Sequence, residues 1–469
     1  MILMNTKRLP ISAALGLASL AGLLSSCEEL IYVAAPVTTV GQSFTGDTLR
    51  SPIKGTIAGR TAPYYMIGDV VVNDGDTLLL QAGVKILVIG KPKSPATFGQ
   101  ATNNPGFVVN GTMLSLGTKA APVVMTIIDN LKGDPTAVQA AATDPAFKGY
   151  WGGINADGAS LLVLRWTEIG YVGGPYGANA PTGYAAGDPK YGISMLAKKP
   201  NAQFVLEDSY LHGTVDDGIR LQSCKLSVMR NRFEKTGKAG GESINMKAGC
   251  VGDVAYNTFV GSATNGTKVA SVAAAPVQSN VAVYNNTFLN CGYRQTKAGR
   301  GGSINYEVQA AGKVYNNLIA NCRFGMRLRS DDLPDLSKIS YDNQYYYGAT
   351  SFQVAEFSAA TAGSVTAAKP RDTRALAGEK DPKFLAADLA TPAGTTAAPS
   401  PTMQWTNFLK TTGALRLLPT SPALGQGFTT FAPVNAVSNL VVGGLFTPTV
   451  TLPGSDSGAY QADGTGNQQ

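Results

Sequence analysis

Charged and amide side chains concentrate in the middle of the chain, on short segments in which polar and apolar residues alternate. One set of polar residues occupies the same position in five such segments: Ser194, Arg220, Asn245, Asn305 and Arg327. A second set lies two residues further along four of them: Gln222, Lys247, Glu307 and Arg329. Acidic residues lie just before or after these segments: Asp216, Asp217, Glu242, Asp331 and Asp332. This is the densest concentration of charge in the chain.

These residue types suit the binding of a sugar chain. Arg and Lys hold carboxylates or sulfates, and Arg does so through two parallel hydrogen bonds. Amide side chains bond to hydroxyl groups. The predicted glycan-binding set is Asn245, Asn305, Gln222, Glu307, Arg327 and Arg329. Calcium is the one cofactor that the pattern suggests, because it prefers several oxygen ligands, and its predicted ligands are Asp216, Asp217 and Glu242.

Catalysis is an alternative use of the same residues. In a polysaccharide lyase, Lys or Arg removes the proton beside a sugar carboxylate, so Lys247 and Arg220 are candidates. A hydrolase needs two carboxylates across the scissile bond, which Asp216 or Asp217 with Glu242 would supply. Lys247, Arg220 and Asp217 are therefore the predicted catalytic residues.

Each of these residues also has a purely structural interpretation. Charged residues on an outward strand face commonly form a solvated surface. Asp216-Asp217-Gly218 also fits a turn into a strand, because Asp and Gly favour that geometry. His212, the single histidine of the chain, is expected to be a surface residue in a turn.

A repeated phrase determines where these segments lie. It consists of apolar alternation, then Asn, one further residue and a large apolar residue, and it occurs at Asn231, Asn257, Asn286, Asn317 and Asn343. Asp208-Ser209-Tyr210 and Thr167-Glu168-Ile169 look like degenerate earlier copies. From Asp208 onward the copies are 23 to 31 residues apart, and an alternating segment follows most of them. The stretch between Asn257 and Asn286 lacks a clear one.

Short strands at this interval, without helical periodicity or hairpin turns, predict a coil of parallel strands stacked about 4.8 Å apart. Phe233, Phe259 and Phe288 would then stack inside the coil, and the Asn column would form an amide ladder. Cys291 and Cys322 both lie five residues after a ladder Asn. They are expected to be neighbours on adjacent coils, where a disulfide is geometrically possible. The favoured interpretation of the four cysteines after Cys27 is nevertheless that they are small buried packing residues.

Segments near both ends resemble a known superfold. Residues 67–72, 75–78 and 83–86 resemble the opening of right-handed parallel β-helix proteins of the pectate-lyase-like superfold, and residues 109–114 and 151–154 continue that pattern in order. Residues 381–384, 421–423 and 456–460 resemble the tail that often closes such proteins. The resemblance covers residues 67 to 460 with a gap. It implies an all-β, single-stranded right-handed parallel β-helix with long loops and a C-terminal tail packed along it.

The resemblance does not extend to the motifs of known enzymes with this fold. The chain lacks the Asn-Thr-Asp and Gly-His-Gly pairs of polygalacturonase-like hydrolases, the Asp-Pro-His signature of alginate epimerases and a clear pectate-lyase calcium cluster. A fold shared by many activities does not imply any one of them.

The N-terminal residues resemble a lipoprotein signal peptide, predicted over residues 1–26. Lys7 and Arg8 precede an apolar run over residues 11–24, which is too short for a stable membrane anchor. Residues 24–27 resemble a lipobox, so Cys27 would become the lipidated N-terminus that binds the membrane. The alternative is an ordinary secretory signal with a chance cysteine. Glu28 and Glu29 resemble the surface-export signal of Bacteroidota-type lipoproteins, which favours the cell surface of the outer membrane over its periplasmic face.

The remaining chain divides into four predicted parts: the lipidated Cys and a tether (27–60), the β-helix (61–350), an Ala/Thr/Pro-rich connection (351–402) and a closing segment (403–469). The formal charge of +7 falls to about +5 without residues 1–26, and only 15% of residues are charged. No Arg/Lys-rich helix or zinc spacing is present, so a nucleic-acid partner is not expected.

Two functions from different classes remain at this point. The first is a cell-surface β-helix without catalysis that binds a polysaccharide or has a structural or adhesive role. The alternative is a polysaccharide lyase or hydrolase that acts on an acidic glycan.

Overall fold

The computed structural model describes residues 40–89, 104–133, 141–272, 277–357, 363–366, 368–374, 376–387, 389, 413–450 and 452–469. The predicted signal peptide, the predicted lipidation site Cys27 and the acidic pair that follows it lie outside the described residues. Among the helices that are described, none is both long and apolar enough to cross a membrane.

The chain winds into a parallel β-helix in which a typical coil contributes one strand to each of three sheets, named A, B and C in chain order. The strands of each sheet pair in parallel with strands of the neighbouring coils. The predicted all-β parallel β-helix is therefore confirmed. The right-handed sense expected for it is the one that crossovers between parallel strands take in nearly all proteins.

Within the described residues the three sheets have ten, twelve and nine strands. Those of sheet A are β2 (Gly55–Ile57), β5 (Thr77–Gln81), β8 (Thr112–Leu116), β11 (Leu161–Arg165), β14 (Gln203–Glu207), β17 (Lys225–Met229), β20 (Val251–Ala255), β23 (Asn280–Tyr284), β26 (Ala311–Tyr315) and β29 (Ile339–Asp342). Sheet B has twelve, which are β1 (Thr48–Leu49), β3 (Tyr64–Met66), β6 (Lys85–Val88), β9 (Val123–Thr126), β12 (Thr167–Val172), β15 (Tyr210–Thr214), β18 (Arg232–Thr236), β21 (Thr258–Val260), β24 (Thr287–Leu289), β27 (Leu318–Ala320), β30 (Tyr345–Tyr347) and β31 (Thr373–Arg374). Sheet C has nine, which are β4 (Val70–Val72), β7 (Phe107–Val109), β10 (Ile154–Asn155), β13 (Ile193–Leu196), β16 (Ile219–Gln222), β19 (Ile244–Lys247), β22 (Thr267–Ala270), β25 (Ile304–Glu307) and β28 (Arg327–Leu328).

The interior is a continuous apolar column that includes residues from Leu49 to Phe357. Phe233, Phe259 and Phe288 stack in it as predicted, with ring centroids 4.9 and 4.7 Å apart and interplanar angles of 9° and 11°. All three side chains are fully buried, and each such burial is worth about 1.5–3 kcal/mol.

The predicted amide ladder also forms at the turn from sheet A to sheet B. Each Asn side chain donates to the next across Asn231, Asn257, Asn286 and Asn317, at 2.9 to 3.0 Å. Asn317 then donates to Oε1 of Gln344 at 3.0 Å. At this turn, sheet pairing alone leaves buried backbone groups without hydrogen-bond partners, and the ladder side chains supply those partners.

In two copies of the repeat, the residue at the ladder position lies one residue later in the chain than predicted. Ser209, and not Asp208, stands before Asn231 in the ladder, since its backbone N–H donates to Asn231 Oδ1 at 2.8 Å. Gln344, and not Asn343, stands at the other end. Asp208 and Asn343 occupy the preceding position, where φ is +48° and +55°. Asp and Asn tolerate this left-handed conformation better than most residues, so the same residue types suit both positions.

The closing segment returns along the outside of the helix, as predicted. Val437 and Phe446 pack on the outward apolar column of sheet A, which consists of Leu79, Leu114, Val163 and Val205. The backbone N–H groups of Val434 and Asn435 donate to the Asp253 carboxylate at 2.8 and 2.6 Å. The tail thereby covers apolar surface that the sheet would otherwise expose.

Some boundaries differ from the predicted ones. Strands β1 and β2 lie among residues assigned to the tether, so the β-helix begins before residue 61. The predicted connection contains helix α1 (Ser351–Glu356), which begins at a capping box formed by Thr350 and Gln353. It also supplies β31, the last strand of sheet B.

The four cysteines of the described body are buried and free. Cys291 and Cys322 are neighbours on adjacent coils as predicted, since the backbone N–H of Cys291 points at Cys322 Sγ over 3.4 Å. The pair therefore serves as small buried packing residues here.

Candidate functional site

The outward polar column of sheet C is in register over six coils. Cα pairing places Ser194, Arg220, Asn245, Lys268, Asn305 and Arg327 side by side on successive strands. Lys268 belongs to β22, the sheet C strand between Asn257 and Asn286, where the sequence shows no clear alternating segment. The strand keeps the alternation but has Thr267 where the other coils have Ile or Met, so a search for the full phrase misses it.

The C-terminal part of this column, from Asn245 onward, is covered and is not a solvated surface. Asn245, Asn305 and Arg327 are only 1–3% exposed, so their side chains are too buried to touch a glycan in this structure. Arg327 Nη1 donates to the backbone oxygen of Gly299, and Arg329 Nη1 donates to the same oxygen at 2.8 Å. The loop that contains Gly299 therefore covers this part of the column, and the two arginines donate hydrogen bonds to its backbone.

Three of the predicted acidic residues, Asp216, Asp217 and Glu242, lie together at the start of β16 and β19, whereas Asp331 and Asp332 are exposed elsewhere. Asp217 is 2% exposed, and its carboxylate accepts from Arg220 Nη1 and Asn245 Nδ2, both at 2.9 Å. Its other oxygen accepts from the backbone N–H of Glu242 at 2.8 Å. These bonds fix Asp217 and, through it, orient Arg220.

Two carboxyl groups of the cluster have pKa values raised into or above the neutral range. Burial, together with the neighbouring charge of Asp217, raises the pKa of Glu242 to about 8 and that of the half-buried Asp216 to about 7. Desolvation and a like charge both disfavour the ionised form of an acid. Such groups can donate hydrogen bonds as well as accept them.

The structure does not support a calcium site or a hydrolase pair in this cluster. Among the described residues, no group of three or more Asp, Glu, His or Cys side chains is arranged to hold a metal ion, and Asp216, Asp217 and Glu242 are among those described. Carboxylates that flank a glycosidic bond must reach the sugar. Asp217 and Glu242 instead share the amide nitrogen of Asn245, at 2.9 and 3.3 Å, and are buried.

The accessible part of the face is the second polar column. Gln222 and Lys247 are paired in register, Gln222 being exposed and Lys247 half-buried. Burial and the nearby charges of Arg220 and Lys268 lower the pKa of Lys247. Within the described part of the chain, neither Gln222 nor Lys247 makes a side-chain hydrogen bond or ion pair, which leaves both available to a ligand.

The other members of this second column are already engaged. Glu307 forms an ion pair with Lys268 at 2.6 Å. Arg329 Nε donates to Asp331 at 2.8 Å. These pairs strengthen the covered part of the face and offer less to a ligand than Gln222 and Lys247 do.

A cleft of about 490 Å³ adjoins this face on the N-terminal side of Arg220. Its walls include Tyr176 and Tyr191, with Asn155, Ser194 and Lys190 as polar neighbours. A Gly-, Ala- and Pro-rich loop over residues 173–189 forms one wall, and a bridge between Pro175 and Pro189 joins the two ends of this loop.

Aromatic contacts link this cleft to the polar column. Tyr184 lies between Tyr176 and Tyr191: its ring is tilted by 33° to that of Tyr176, with centroids 4.8 Å apart, and is edge-on to that of Tyr191, with centroids 6.1 Å apart. The guanidinium of Arg220 lies 5.3 Å from the centre of the Tyr191 ring. These tyrosines were missed in the sequence because they lie in an irregular loop without periodicity. Three tyrosines within a segment otherwise rich in small residues were the available signal.

The prediction for His212 is wrong. It lies within β15, is 5% exposed, and stacks on Tyr210 with ring centroids 4.5 Å apart. The prediction placed a turn directly after Tyr210, whereas β15 begins at Tyr210 and continues to Thr214.

No family model matches the chain, and no curated protein matches it significantly.

Proposed function

We propose that the protein binds a polysaccharide at the cell surface through the sheet C groove, defined as the cleft of Tyr176 and Tyr191 with the adjoining Arg220, Gln222 and Lys247. The observation that carries the proposal is the cleft itself. Aromatic faces beside amide and hydroxyl groups suit a sugar ring, whose C–H face is apolar and whose edge is polar.

The charge of the groove favours an acidic glycan. Lys190, Arg220 and Lys247 supply cations along its length, and Lys190 and Lys247 both have pKa values lowered by burial. A partly desolvated ammonium or guanidinium gains more from a carboxylate or sulfate than a fully hydrated one. A purely structural or adhesive stalk would need neither the cleft nor these cations.

The location is part of the same proposal. Residues 1–29 support a lipoprotein of the outer membrane, attached through Cys27 and facing the cell exterior, with the periplasmic face as the alternative. Order and spacing of the opening and closing segments support membership of the pectate-lyase-like superfold. A glycan-binding surface at the cell exterior would meet its ligand directly.

Affinity gel electrophoresis tests the binding proposal. Protein carrying residues 28–469 is run through gels that contain polygalacturonate, alginate, hyaluronate or a neutral glucan. We expect at least one acidic polymer to retard it, and we expect Tyr191→Ala and Lys247→Ala to reduce the retardation at least about fivefold. Lys225→Ala is the charge-matched control, because Lys225 is exposed on sheet A.

Two results would contradict the proposal. One is the absence of retardation by every polymer. The other is an equal loss in Lys225→Ala and Lys247→Ala, which would reflect net charge and not a groove.

A polysaccharide lyase is the second candidate, favoured by the perturbed groups beside the groove. Lys247 has a lowered pKa, which suits a base, and Asp216 has a pKa raised to about 7, which suits an acid. Its test is turnover of the same polymers, followed by absorbance of unsaturated sugar ends and by reducing ends. Turnover that disappears in Lys247→Ala would favour the enzyme; retention without turnover leaves a binding protein.

A further inference from the structure

A second cluster of titratable and aromatic side chains lies on the outward face of sheet B. Glu168, Tyr210 and Arg232 are in register on β12, β15 and β18. His212 and Glu234 form the neighbouring column. Gly170 precedes His212 in that column, and a Cβ at Gly170 would collide with the imidazole ring. Glycine at this position therefore leaves the space that the histidine occupies.

The cluster is tightly connected. His212 Nε2 lies 3.3 Å from Glu168 Oε1, and the ring is held between Tyr210 and the edge of Tyr171. Tyr210 donates its hydroxyl to Glu234 at 2.7 Å, and Arg232 forms an ion pair with the same carboxylate at 2.7 Å. Residues held this firmly present a fixed surface to whatever lies outside them.

A cleft of about 220 Å³ lies directly outside this cluster. Trp166 and Tyr210 supply its aromatic surface, and Glu168, Asp208 and Gln468 supply polar atoms. Trp166 is half-buried, although tryptophan is usually well buried. Pockets for drug-sized ligands span roughly 300–1,000 Å³, so this cleft has room for a single ring.

The carboxylates at this cleft have partners within the protein. Asp208 forms a two-pronged pair with Arg230, with Nε–Oδ1 and Nη2–Oδ2 distances of 2.7 and 2.8 Å. Glu168 pairs with His212, whose hydrogen bond and charge outweigh burial and lower the pKa of Glu168. Lys119 at the rim is exposed. The cleft therefore has no strong excess of either charge, which disfavours an ionic ligand.

We propose that this cleft, formed by Trp166, Glu168 and Tyr210, is a second binding site and takes one neutral sugar ring. The indole would stack on the apolar face of the ring, and the carboxylate oxygens and amides would bond to its hydroxyls. The site lies on a different sheet from the sheet C groove and does not depend on it.

Ligand-observed NMR titration of the protein with methyl glycosides of glucose, galactose, mannose and xylose tests this site. Glucuronate and glucosamine are the charged counterparts. We expect saturable binding of at least one neutral glycoside, weaker binding of the charged sugars, and at least about tenfold weaker binding in Trp166→Ala. Phe352→Ala removes an aromatic residue that is 36% exposed on α1 and is the control. It should bind as the parent does.

Glu168→Gln keeps the test decisive if Trp166→Ala does not fold, as judged by circular dichroism. It retains the shape of the side chain and should weaken binding several-fold. Absence of binding by every neutral glycoside, or equal binding by folded Trp166→Ala, would overturn the proposal. Tighter binding of a charged sugar would also overturn it. Because Trp166 is outside the sheet C groove, retardation of Trp166→Ala by acidic polymers should persist, and the two proposals fail separately.

Discussion

Removal of one ladder side chain should destabilise the helix far more than removal of an Asn that only resembles a ladder residue. Asn257 is fully buried. Its Nδ2 donates to Val228 O and Asn286 Oδ1, at 2.9 and 3.0 Å. Its Oδ1 accepts from the backbone N–H and the side-chain amide of Asn231, both at 2.9 Å. Asn257→Ala removes all of these bonds at once.

The expected cost follows from the groups left behind. The Asn231 N–H loses its acceptor and Val228 O loses a donor, and each unsatisfied buried group costs about 1–3 kcal/mol. We therefore expect Asn257→Ala to lower the free energy of unfolding by about 3–5 kcal/mol. Each coil is stable only through its neighbours, so a gap in the middle of the ladder weakens contacts on both sides.

Asn343→Gly is the matched control. Asn343 stands in the same phrase of the sequence but precedes the ladder, and its Nδ2 makes one hydrogen bond, of 3.3 Å, to Gln426 O. Glycine adopts its φ of +55° without strain. We expect a loss under about 1 kcal/mol, whereas Gln344→Ala should cost more because Gln344 is 1% exposed and ends the ladder.

Urea unfolding followed by far-ultraviolet circular dichroism measures all three variants. The ranking should be Asn257→Ala, then Gln344→Ala, then Asn343→Gly. A cost for Asn343→Gly equal to that of Asn257→Ala would refute the assigned register. A cost for Asn257→Ala below about 1 kcal/mol would refute the argument that the ladder satisfies buried backbone groups.

Three further predictions concern stability. Because the pKa of Glu242 is raised, the folded state keeps a proton that the unfolded state releases near pH 4.5. The free energy of unfolding should therefore fall as the pH rises toward 8. Glu242→Gln should flatten this decline, measured as the urea midpoint between pH 5 and 8. Asp253→Ala removes the acceptor of two tail N–H groups, and hydrogen exchange of the Val434 and Asn435 amides should accelerate while the core amides stay protected. Phe259→Ala should cost about 3–5 kcal/mol in urea unfolding, because its ring is fully buried between two others; a cost under about 1 kcal/mol would mean that the stack is not closely packed.

The architecture was predictable because its signals are local and repeated. A two-residue period defines each strand, and a recurring Asn with Phe two residues later defines the stacked positions of Phe233, Phe259 and Phe288. The predicted register is wrong by one residue at Asn343 and Gln344, because either side chain could occupy the ladder position. The position before the ladder has a left-handed backbone that favours Asn, while the ladder accepts any side chain with a suitable amide or hydroxyl.

The candidate site was predictable in position but not in accessibility. Strand pairing places Arg220, Asn245 and Arg327 in one column, and the sequence shows that directly. Which of them meet solvent depends on the loop that contains Gly299 and on the loop that contains Tyr176 and Tyr191. Loop positions are set by long-range contacts such as that of Arg220 with Tyr191, and no periodic pattern encodes such contacts.

The three outward faces of the β-helix differ in how much of their surface is accessible to a ligand. On sheet A, the column from Leu79 to Val205 is apolar and lies under the tail, because an exposed apolar strip of that length would favour association. Sheet C is closed at Arg327 and open at Lys247, and sheet B carries the cleft beside Trp166. The two proposed ligand sites therefore lie on sheets B and C. It follows that Val163→Ala on sheet A should lower the urea midpoint without changing the retardation of the protein by acidic polymers.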